Sequence, residues 1–226
     1  MRNRLVFLSA LVVTMLALTP VMRGQDTAQH ASVPDISGVW LIANPQFGLF
    51  PKGDAPLQPW AQAKFKANPQ TNDPTLACLP AGVPRLMFVL TPMEILQLPT
   101  RVVIIHEAWD PPRQIYLNRE HPKDLDPTYS GDAIGKWEGD TLVVDTIGFK
   151  DTTWVDGVGL PHSEAMHVVE RIRRADHNTL VDDFTIEDPR AFTKPIATQK
   201  VYKLKPSWEI QEYICEENNK YTSQGK

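Results

Sequence analysis

Residues 159–174, GLPHSEAMHVVERIRR, contain side chains that can move protons or bind a metal ion. His162, His167 and Glu170 supply imidazole and carboxylate groups, which act as general acids and bases and also ligate zinc. Alternate residues of a strand point to opposite faces, so His167 and Glu170 would point away from each other. This divergence argues against a metal site, and we predict none.

Glu170 would share its strand face with the apolar residues Val168 and Ile172. Burial of a carboxylate is costly unless a cation pairs with it. Arg113 is the candidate partner. Two interpretations remain open, a catalytic acid or a structural Glu–Arg pair that holds the strands in register.

His106 lies in an apolar run, VVIIHEAW. Alternation groups it with Val102 and Ile104, and groups Glu107 with the other face, so either His106 or Glu107 faces an interior. A neutral imidazole in a pocket can exchange protons near physiological pH, which makes His106 a candidate general acid or base. The alternative is a hydrogen-bonded core histidine.

Two more histidines, His121 and His162, lie beside prolines in predicted loops, where binding residues are common. Aromatic side chains can form the walls of a ligand pocket, and arginine and tyrosine can donate hydrogen bonds to a ligand. The candidate catalytic residues are His106, His121, His162, His167 and Glu170. The candidate ligand-binding residues are Arg113, Tyr116, Trp137 and Trp154.

Several enzyme classes are poorly supported by the sequence. Asp182 and Asp183 are adjacent, so on a strand they would face opposite ways, which argues against a two-carboxylate glycosidase. Ser163 lacks the G-x-S-x-G setting of the α/β hydrolases, and the sequence has no glycine-rich phosphate loop. We predict no cofactor.

From Arg101 onward, short β-branched and aromatic runs alternate with period two, which is typical of strands. The short links EGD, ADHN and PS between successive runs indicate antiparallel hairpins. The fold predicted is all-β, an antiparallel up-and-down barrel of about eight to ten strands. A two-sheet sandwich is the alternative. The predicted strands are DISGVWLI, RVVIIHEAW, RQIYLN, AIGKW, TLVVDTIGF, AMHVVERIRR, TLVDDFTIED, ATQKVYKLK and WEIQEYICE.

Residues 43–92 hold nine of the 20 prolines and are predicted to form a lid or strap over the barrel. One short helix, PLQPWAQAKFKAN, is expected within this segment, with Asp54 as its candidate cap and Pro56 near its first turn.

Residues 1–24 have the layout of a secretory signal peptide, because Arg2 and Arg4 precede an apolar run that ends before Pro20. A retained membrane anchor is the alternative. Residues 25–226 would form one barrel domain, secreted or periplasmic, with no membrane span after cleavage. Their 20 Lys and Arg against 27 Asp and Glu give a net charge of −7, which argues against nucleic-acid binding.

The two cysteines, Cys78 and Cys215, would enter an oxidising compartment, so we predict a disulfide between them. Two buried free thiols are the alternative. Neither cysteine belongs to a C-x-x-C motif, so the sequence gives no support for a redox site.

The triplet Gly38-Val39-Trp40 resembles the G-x-W signature at the start of lipocalin-like barrels. Longer stretches resemble a family of secreted bacterial proteins that share C-L-P-x-G-x-P-R, R-x-I-Y, I-G-x-W-E-G-D-T-L-V-V-D-T-x-G-F, P-H-S-E-x-x-H-x-x-E-R and E-D-P. These motifs correspond here to residues 78–85, 113–116, 134–149, 161–171 and 187–189. The resemblance implies an exported barrel and does not imply any particular activity.

The sequence departs from that family's pattern in two places. It has Asn118-Arg119-Glu120-His121-Pro122 where D-G-R-x-H-P is usual, and Gly131-Asp132-Ala133 where a histidine or tyrosine and a serine are common. If these positions line a site, its specificity or chemistry differs here.

Three functions remain open at this stage. The first is a lipocalin-like barrel that binds a small, largely apolar or aromatic molecule. The second is a cofactor-independent isomerase, hydratase or lyase that uses His and Glu acid–base chemistry on a cyclic or aromatic substrate. The third is an envelope structural or partner-binding protein whose barrel is filled by its own side chains. The oligomeric state is not predicted.

Overall fold

The computed structural model describes residues 33–50, 53–108 and 111–218, so the predicted signal peptide lies outside the described residues. In the described chain, nine strands form one closed barrel in which β9 pairs with β1. This closure confirms the predicted all-β barrel rather than the sandwich. The strands are β1 (Gly38–Ile42), β2 (Met93–Gln97), β3 (Arg101–His106), β4 (Arg113–Leu117), β5 (Asp132–Glu138), β6 (Thr141–Ile147), β7 (His167–Asp176), β8 (Thr179–Glu187) and β9 (Ile196–Leu204).

One strand pair differs from the predicted up-and-down meander. β4 and β5 run parallel, with residues 115–117 opposite 133–135, whereas the other neighbouring pairs of the described barrel are antiparallel. A closed ring with an odd number of strands cannot alternate direction throughout, so at least one pair must be parallel. Residues 118–131 return the chain to the end of the barrel at which β4 began.

The two ends of the barrel differ in the length of their connections. Residues 98–100, 139–140 and 177–178 join antiparallel neighbours at the end that we call the tight-turn end. The long segments 43–92, 148–166 and 188–195 all lie at the other end, which we call the loop end. Long loops at one end of a barrel are where binding residues are usually placed.

The proline-rich segment contains helix α1 (Pro59–Ala67) and a buried 3₁₀ turn at Arg85–Phe88. The predicted helix exists but begins later than expected. Its cap residue is Gln58, which makes no side-chain cap hydrogen bond, so Asp54 is not the cap and Pro56 precedes the helix. Strand β2 follows this segment directly and was not predicted, because MEILQ is short and lies next to the prolines.

The predicted strand WEIQEYICE is wrong, because residues 208–214 form no strand and helix α2 (Cys215–Asn218) follows. Since β9 already pairs with both β8 and β1, a further strand would find no open sheet edge. The predicted disulfide between Cys78 and Cys215 is confirmed, and it joins the proline-rich segment to the chain after β9. Of the helices described, none is long and apolar enough to cross a membrane.

The barrel core follows the period-two pattern of the strands. Interior positions hold large apolar side chains such as Trp40, Ile104 and Phe184, each at most 2% exposed. His106 and Glu170 share this face, as alternation predicts, and are 6% and 0% exposed. The apolar core therefore surrounds ionisable groups, and these groups mark the candidate site.

Candidate functional site

Besides Lys200 of β9, five ionisable side chains lie inside the barrel among apolar neighbours. We call them the interior cluster, and they are His106 from β3, Arg113 from β4, Glu170 from β7, Asp182 from β8 and Tyr202 from β9. Each is at most 6% exposed. Burial of this many ionisable groups costs free energy, so their arrangement calls for a physical explanation.

Arg113 and Glu170 form the buried ion pair that the sequence predicted. Nη1 of Arg113 donates to Oε1 of Glu170 at 2.8 Å, and Nη2 donates to Oε2 of the same carboxylate. Nη2 also donates to Oγ1 of Thr146 at 3.2 Å. Burial alone would lower the pKa of Arg113, but the Glu170 carboxylate outweighs that effect and raises it. The guanidinium is therefore held charged and in a fixed orientation.

Other polar atoms of the cluster have no hydrogen-bond partner among the described residues. These atoms are both ring nitrogens of His106 and Nε of Arg113. Buried polar atoms in folded proteins are nearly always paired, so a group of unpaired atoms marks a place for water or a ligand. The interior cluster has unused capacity both to donate and to accept hydrogen bonds.

Burial sets the protonation states of this cluster. Burial, with a smaller effect of the Arg113 charge, lowers the pKa of His106 to about 3, so the imidazole is neutral at pH 7. Burial and then the Glu170 carboxylate raise the pKa of Asp182 well above its usual value, which favours the protonated carboxyl. Burial likewise raises the pKa of Tyr202. Perturbed groups of this kind are common at functional sites.

A cleft of about 280 Å³ opens in the barrel wall beside Arg113. It lies where the parallel strands β4 and β5 begin, and we call it the wall cleft. The predicted ligand-binding residues Arg113 and Tyr116 both line it, with Tyr129 from the connecting segment. Arg113 thus belongs to both sites, at the start of β4. The lining residues are Pro111, Pro112, Arg113, Gln114, Tyr116 and residues 128–133.

Two cations cover the aromatic walls of the wall cleft. The guanidinium of Arg119 lies 4.0 Å from the ring centroid of Tyr116, and Nζ of Lys150 lies 4.7 Å from that of Tyr129. Arg119 is also paired with Asp132. Such contacts orient the two rings and leave the rim of the cleft slightly positive.

The two segments that depart from the resembled family's pattern lie together at this cleft. Residues 131–133 line it, and both Arg119 and His121 contact the carboxylate of Asp132. Gly131 has a φ of +70°, and a Cβ there would lie 2.8 Å from the carbonyl oxygen of Ile147. A glycine is required at this position by both the backbone conformation and the close approach.

His121 and His167 lie on the outer surface of the barrel, on either side of Asp145. Nε2 of His121 is 3.0 Å from one carboxylate oxygen of Asp145, and Nε2 of His167 is 3.0 Å from the other. Nδ1 of His121 is 2.7 Å from Asp132. These two histidines are separated from His106 by the barrel wall. In the described ranges, no group of three His, Cys, Asp or Glu side chains is arranged to hold a metal ion.

His162 is fully buried beneath the loop end. Its Nε2 is 2.7 Å from Oγ1 of Thr153, and its Nδ1 is 3.0 Å from the carbonyl oxygen of Ser163. Burial lowers the pKa of His162. The neighbouring Ser163 donates its N–H at 2.6 Å and its hydroxyl at 2.9 Å to Asp188. The P-H-S-E and E-D-P motifs therefore pair to hold two loops together.

The two predicted tryptophans lie away from the wall cleft. Trp154 is buried in the loop 148–166, where the Arg85 guanidinium lies 5.3 Å from its ring centroid. Trp137 lies near the tight-turn end of β5 and packs against the core. Arg85 in turn binds the Asp73 carboxylate at 2.6 Å, which braces the proline-rich segment.

Sequence reasoning missed Asp182, Tyr202 and Tyr129. Asp182 has the same strand parity as the buried residues Leu180 and Phe184, so alternation alone could have placed it inside. Tyr129 belongs to a long connection, and no local pattern indicates where such a residue lies.

No protein-family model matches this chain, and no curated protein matches it either. The closed barrel is compatible with the lipocalin-like resemblance, while membership of the secreted bacterial family has no support from these comparisons.

Proposed function

We propose that this protein binds a small molecule in the wall cleft, with Arg113 as the anchor. The observation that carries the proposal is the position of Arg113, which is among the residues that line the cleft and whose buried guanidinium has no partner for its Nε–H among the described residues. Glu170 and Thr146 hold the rest of that guanidinium, so its orientation is set before a ligand arrives.

The lining of the cleft defines the class of ligand. Its volume of about 280 Å³ suits a molecule with a single ring. Tyr116 and Tyr129 offer aromatic surface, and the Nε–H of Arg113 requires an acceptor oxygen. The ligand is therefore a flat, largely apolar molecule that carries a carbonyl or carboxylate oxygen.

The energetics of the barrel interior argue against the third hypothesis, a barrel filled only for structural reasons. A buried ion pair is generally no more stabilising than apolar side chains of similar volume. The unpaired ring nitrogens of His106 add a further cost. A purely structural interior would be more stable if it were apolar, so these groups are better explained by a ligand.

Ligand-detected NMR with benzoate, benzamide and toluene tests the proposal. We expect benzoate and benzamide to bind saturably and toluene, which has no acceptor oxygen, to bind much more weakly. The variants Tyr116→Ala and Tyr129→Ala should each weaken benzoate binding roughly threefold to tenfold, since an aromatic contact contributes about 0.5–1.5 kcal/mol. Arg113→Lys keeps the charge beside Glu170 but removes the Nε–H, and should abolish the preference for benzamide over toluene.

Trp208→Ala is the matched control for the tyrosine variants. Trp208 is also an aromatic residue beside a cation, with Nζ of Lys205 5.0 Å from its ring centroid, but it lies at the tight-turn end and is 45% exposed. The Trp208→Ala variant should bind benzoate with the same affinity as the wild type. Equal binding of all three probes, or equal losses in Trp208→Ala and Tyr116→Ala, would refute the proposed site.

A second candidate, acid–base catalysis on a bound carbonyl compound, is favoured by the titratable groups around Arg113. His106 is neutral and can accept a proton, and the protonated Asp182 can donate one. The test is exchange of the α-protons of acetophenone in D₂O, followed by NMR. Exchange above the buffer rate that is lost in both His106→Gln and Asp182→Asn supports an enzyme, whereas exchange at the buffer rate supports a binding protein.

We also infer that the protein works outside the cytoplasm. The disulfide between Cys78 and Cys215 is the supporting observation, because such bonds persist in oxidising compartments. Protein recovered from an envelope or culture fraction should carry this bond quantitatively, as tested by thiol alkylation before and after reduction.

A further inference from the structure

A second cavity, of about 470 Å³, opens at the loop end of the barrel. We call it the loop-end cavity. Phe47 and Leu90 at this cavity are 69% and 65% exposed, so apolar surface is open to solvent there. Its lining residues are Pro45, Gln46, Phe47, Arg85, Phe88, Val89, Leu90 and Gly157. None of these residues lines the wall cleft.

Lys200 lies directly beneath this cavity. It is on the interior face of β9 and has no exposed surface. Its Nζ donates to Oε1 of Gln46 at 3.0 Å and lies 4.5 Å from the ring centroid of Phe88. Gln46 and Phe88 both line the loop-end cavity, so the amine contacts two residues of the cavity wall.

The amine of Lys200 lacks the counter-ion that a buried lysine normally has. Across the described part of the chain, no carboxylate oxygen lies within 4.0 Å of its Nζ. Asp182 is its direct cross-strand neighbour on β8, yet the two side chains do not form an ion pair. A buried ammonium without a carboxylate is unfavourable, and burial lowers the pKa of Lys200 below its usual 10.5.

An amine that has no counter-ion and lies next to an apolar cavity is well placed to act as a nucleophile. Lysines that react with carbonyl compounds are those kept neutral by a desolvated site. The one hydrogen-bond partner of Lys200 Nζ that we find in the described residues is the carboxamide of Gln46, an exposed residue that can turn away and admit a ligand.

We propose that Lys200 is a reactive amine that forms an imine with a small apolar aldehyde or ketone entering the loop-end cavity. The nitrogen lone pair of Lys200 adds to the carbonyl carbon. The nitrogen loses its two protons, the carbonyl oxygen leaves as water, and a C=N bond replaces the C=O bond. The step is reversible and needs no oxidant or reductant. This site is independent of the wall cleft and of the ligand proposed there.

The experiment uses hexanal as the probe, with cyanoborohydride to trap the imine, and peptide mass mapping to locate the adduct. At neutral pH we expect Lys200 to be labelled several times faster than any other lysine, because a lowered pKa leaves a larger fraction of the amine neutral. Lys200→Met should lose this fast adduct. Lys203→Met, which removes the outward-facing lysine on the same strand, should keep it.

Gln46→Leu keeps the proposal testable if Lys200→Met does not fold. It leaves the amine in place and removes its hydrogen-bond acceptor, so labelling of Lys200 should become faster. Labelling of Lys200 no faster than that of Lys203, or slower labelling in Gln46→Leu than in the wild type, would overturn the proposal.

Discussion

The buried pair of Arg113 and Glu170 offers the sharpest test of whether the barrel interior serves binding or stability. Glu170→Gln removes a carboxylate that is fully buried and leaves the guanidinium of Arg113 without its counter-ion. Breaking a buried pair in this way costs about 3–5 kcal/mol of unfolding free energy. In a domain of this size the melting temperature should then fall by roughly 6–20 °C.

Asp182 moderates that loss. The Glu170 carboxylate raises the pKa of Asp182, and the Arg113 charge lowers it. Once Glu170 is neutral, Asp182 can ionise more easily and partly replace the lost charge. We therefore expect the loss of unfolding free energy in Glu170→Gln to lie near the lower end of the range of about 3–5 kcal/mol. The double variant Glu170→Gln, Asp182→Asn should lose more unfolding free energy than the sum of the losses in the two single variants.

Replacing both partners separates the two explanations. Arg113→Met combined with Glu170→Leu fills the same space with apolar side chains and should range from neutral to about 4 kcal/mol more stable than the wild type. The same protein should no longer bind benzoate. A stable barrel without binding is the outcome expected if the charged pair is kept for its ligand.

The assay is urea unfolding at pH 7 with the disulfide intact, followed by tryptophan fluorescence and far-ultraviolet circular dichroism. Coincident transitions and unchanged slopes establish that the free energies are comparable. A loss below about 1 kcal/mol in Glu170→Gln would refute the assumption of an uncompensated buried charge. A loss in the apolar double variant as large as in Glu170→Gln would show that the pair is needed for stability.

Three further predictions concern pH, the disulfide and a glycine. His106 has a pKa of about 3 when folded and 6.5 as the ordinary value, so the unfolded chain takes up its proton first as the pH falls. The stability that depends on neutral His106 is thus present above pH 6.5 and is lost towards pH 3, by an amount on the order of 4 kcal/mol. The variant His106→Gln should flatten this part of the curve of unfolding free energy against pH. An unchanged slope would contradict the lowered pKa of His106. Replacing Cys78 and Cys215 by serine opens a loop of 137 residues and should lower the unfolding free energy by about 5 kcal/mol in urea titrations. A loss under about 1 kcal/mol would contradict the chain-entropy argument. Gly131→Ala should lower the unfolding free energy by about 1–3 kcal/mol more than Gly139→Ala does. Both glycines have positive φ, but only Gly131 is crowded by the Ile147 carbonyl. Equal melting temperatures of the two variants would argue against that crowding.

Local sequence patterns predicted the class of fold and much of its interior. Of the nine strands, period-two alternation identified the seven from β3 to β9, and the run around Trp40 identified β1. Alternation also predicted that Glu170 lies on the inner face and that either His106 or Glu107 does, since the direction of a side chain on a strand is a property of the backbone itself. Strand β2 and the absence of a strand at residues 208–214 were not predicted, because both depend on which edges are open.

Arg113 and Tyr116 were predicted as ligand-binding residues, and the wall cleft contains both. The sequence could not indicate Tyr129 as the opposite wall, because the course of a long connection depends on the finished barrel. It also could not separate His121 and His167 from His106, since all three have the same chemistry.

The sequence by itself determined that the chain is an all-β protein with ionisable groups on apolar strand faces, because each strand carries its own period-two alternation; it left a barrel and a sandwich open. Only the tertiary structure decided which groups meet. Packing across the barrel interior brought Arg113 to Glu170, whereas Lys200 and Asp182 face each other in register and yet form no ion pair. Closure with an odd number of strands required one parallel pair, and the wall cleft lies beside that pair. Contacts between distant strands arise from the packing of the whole barrel, which no local pattern contains.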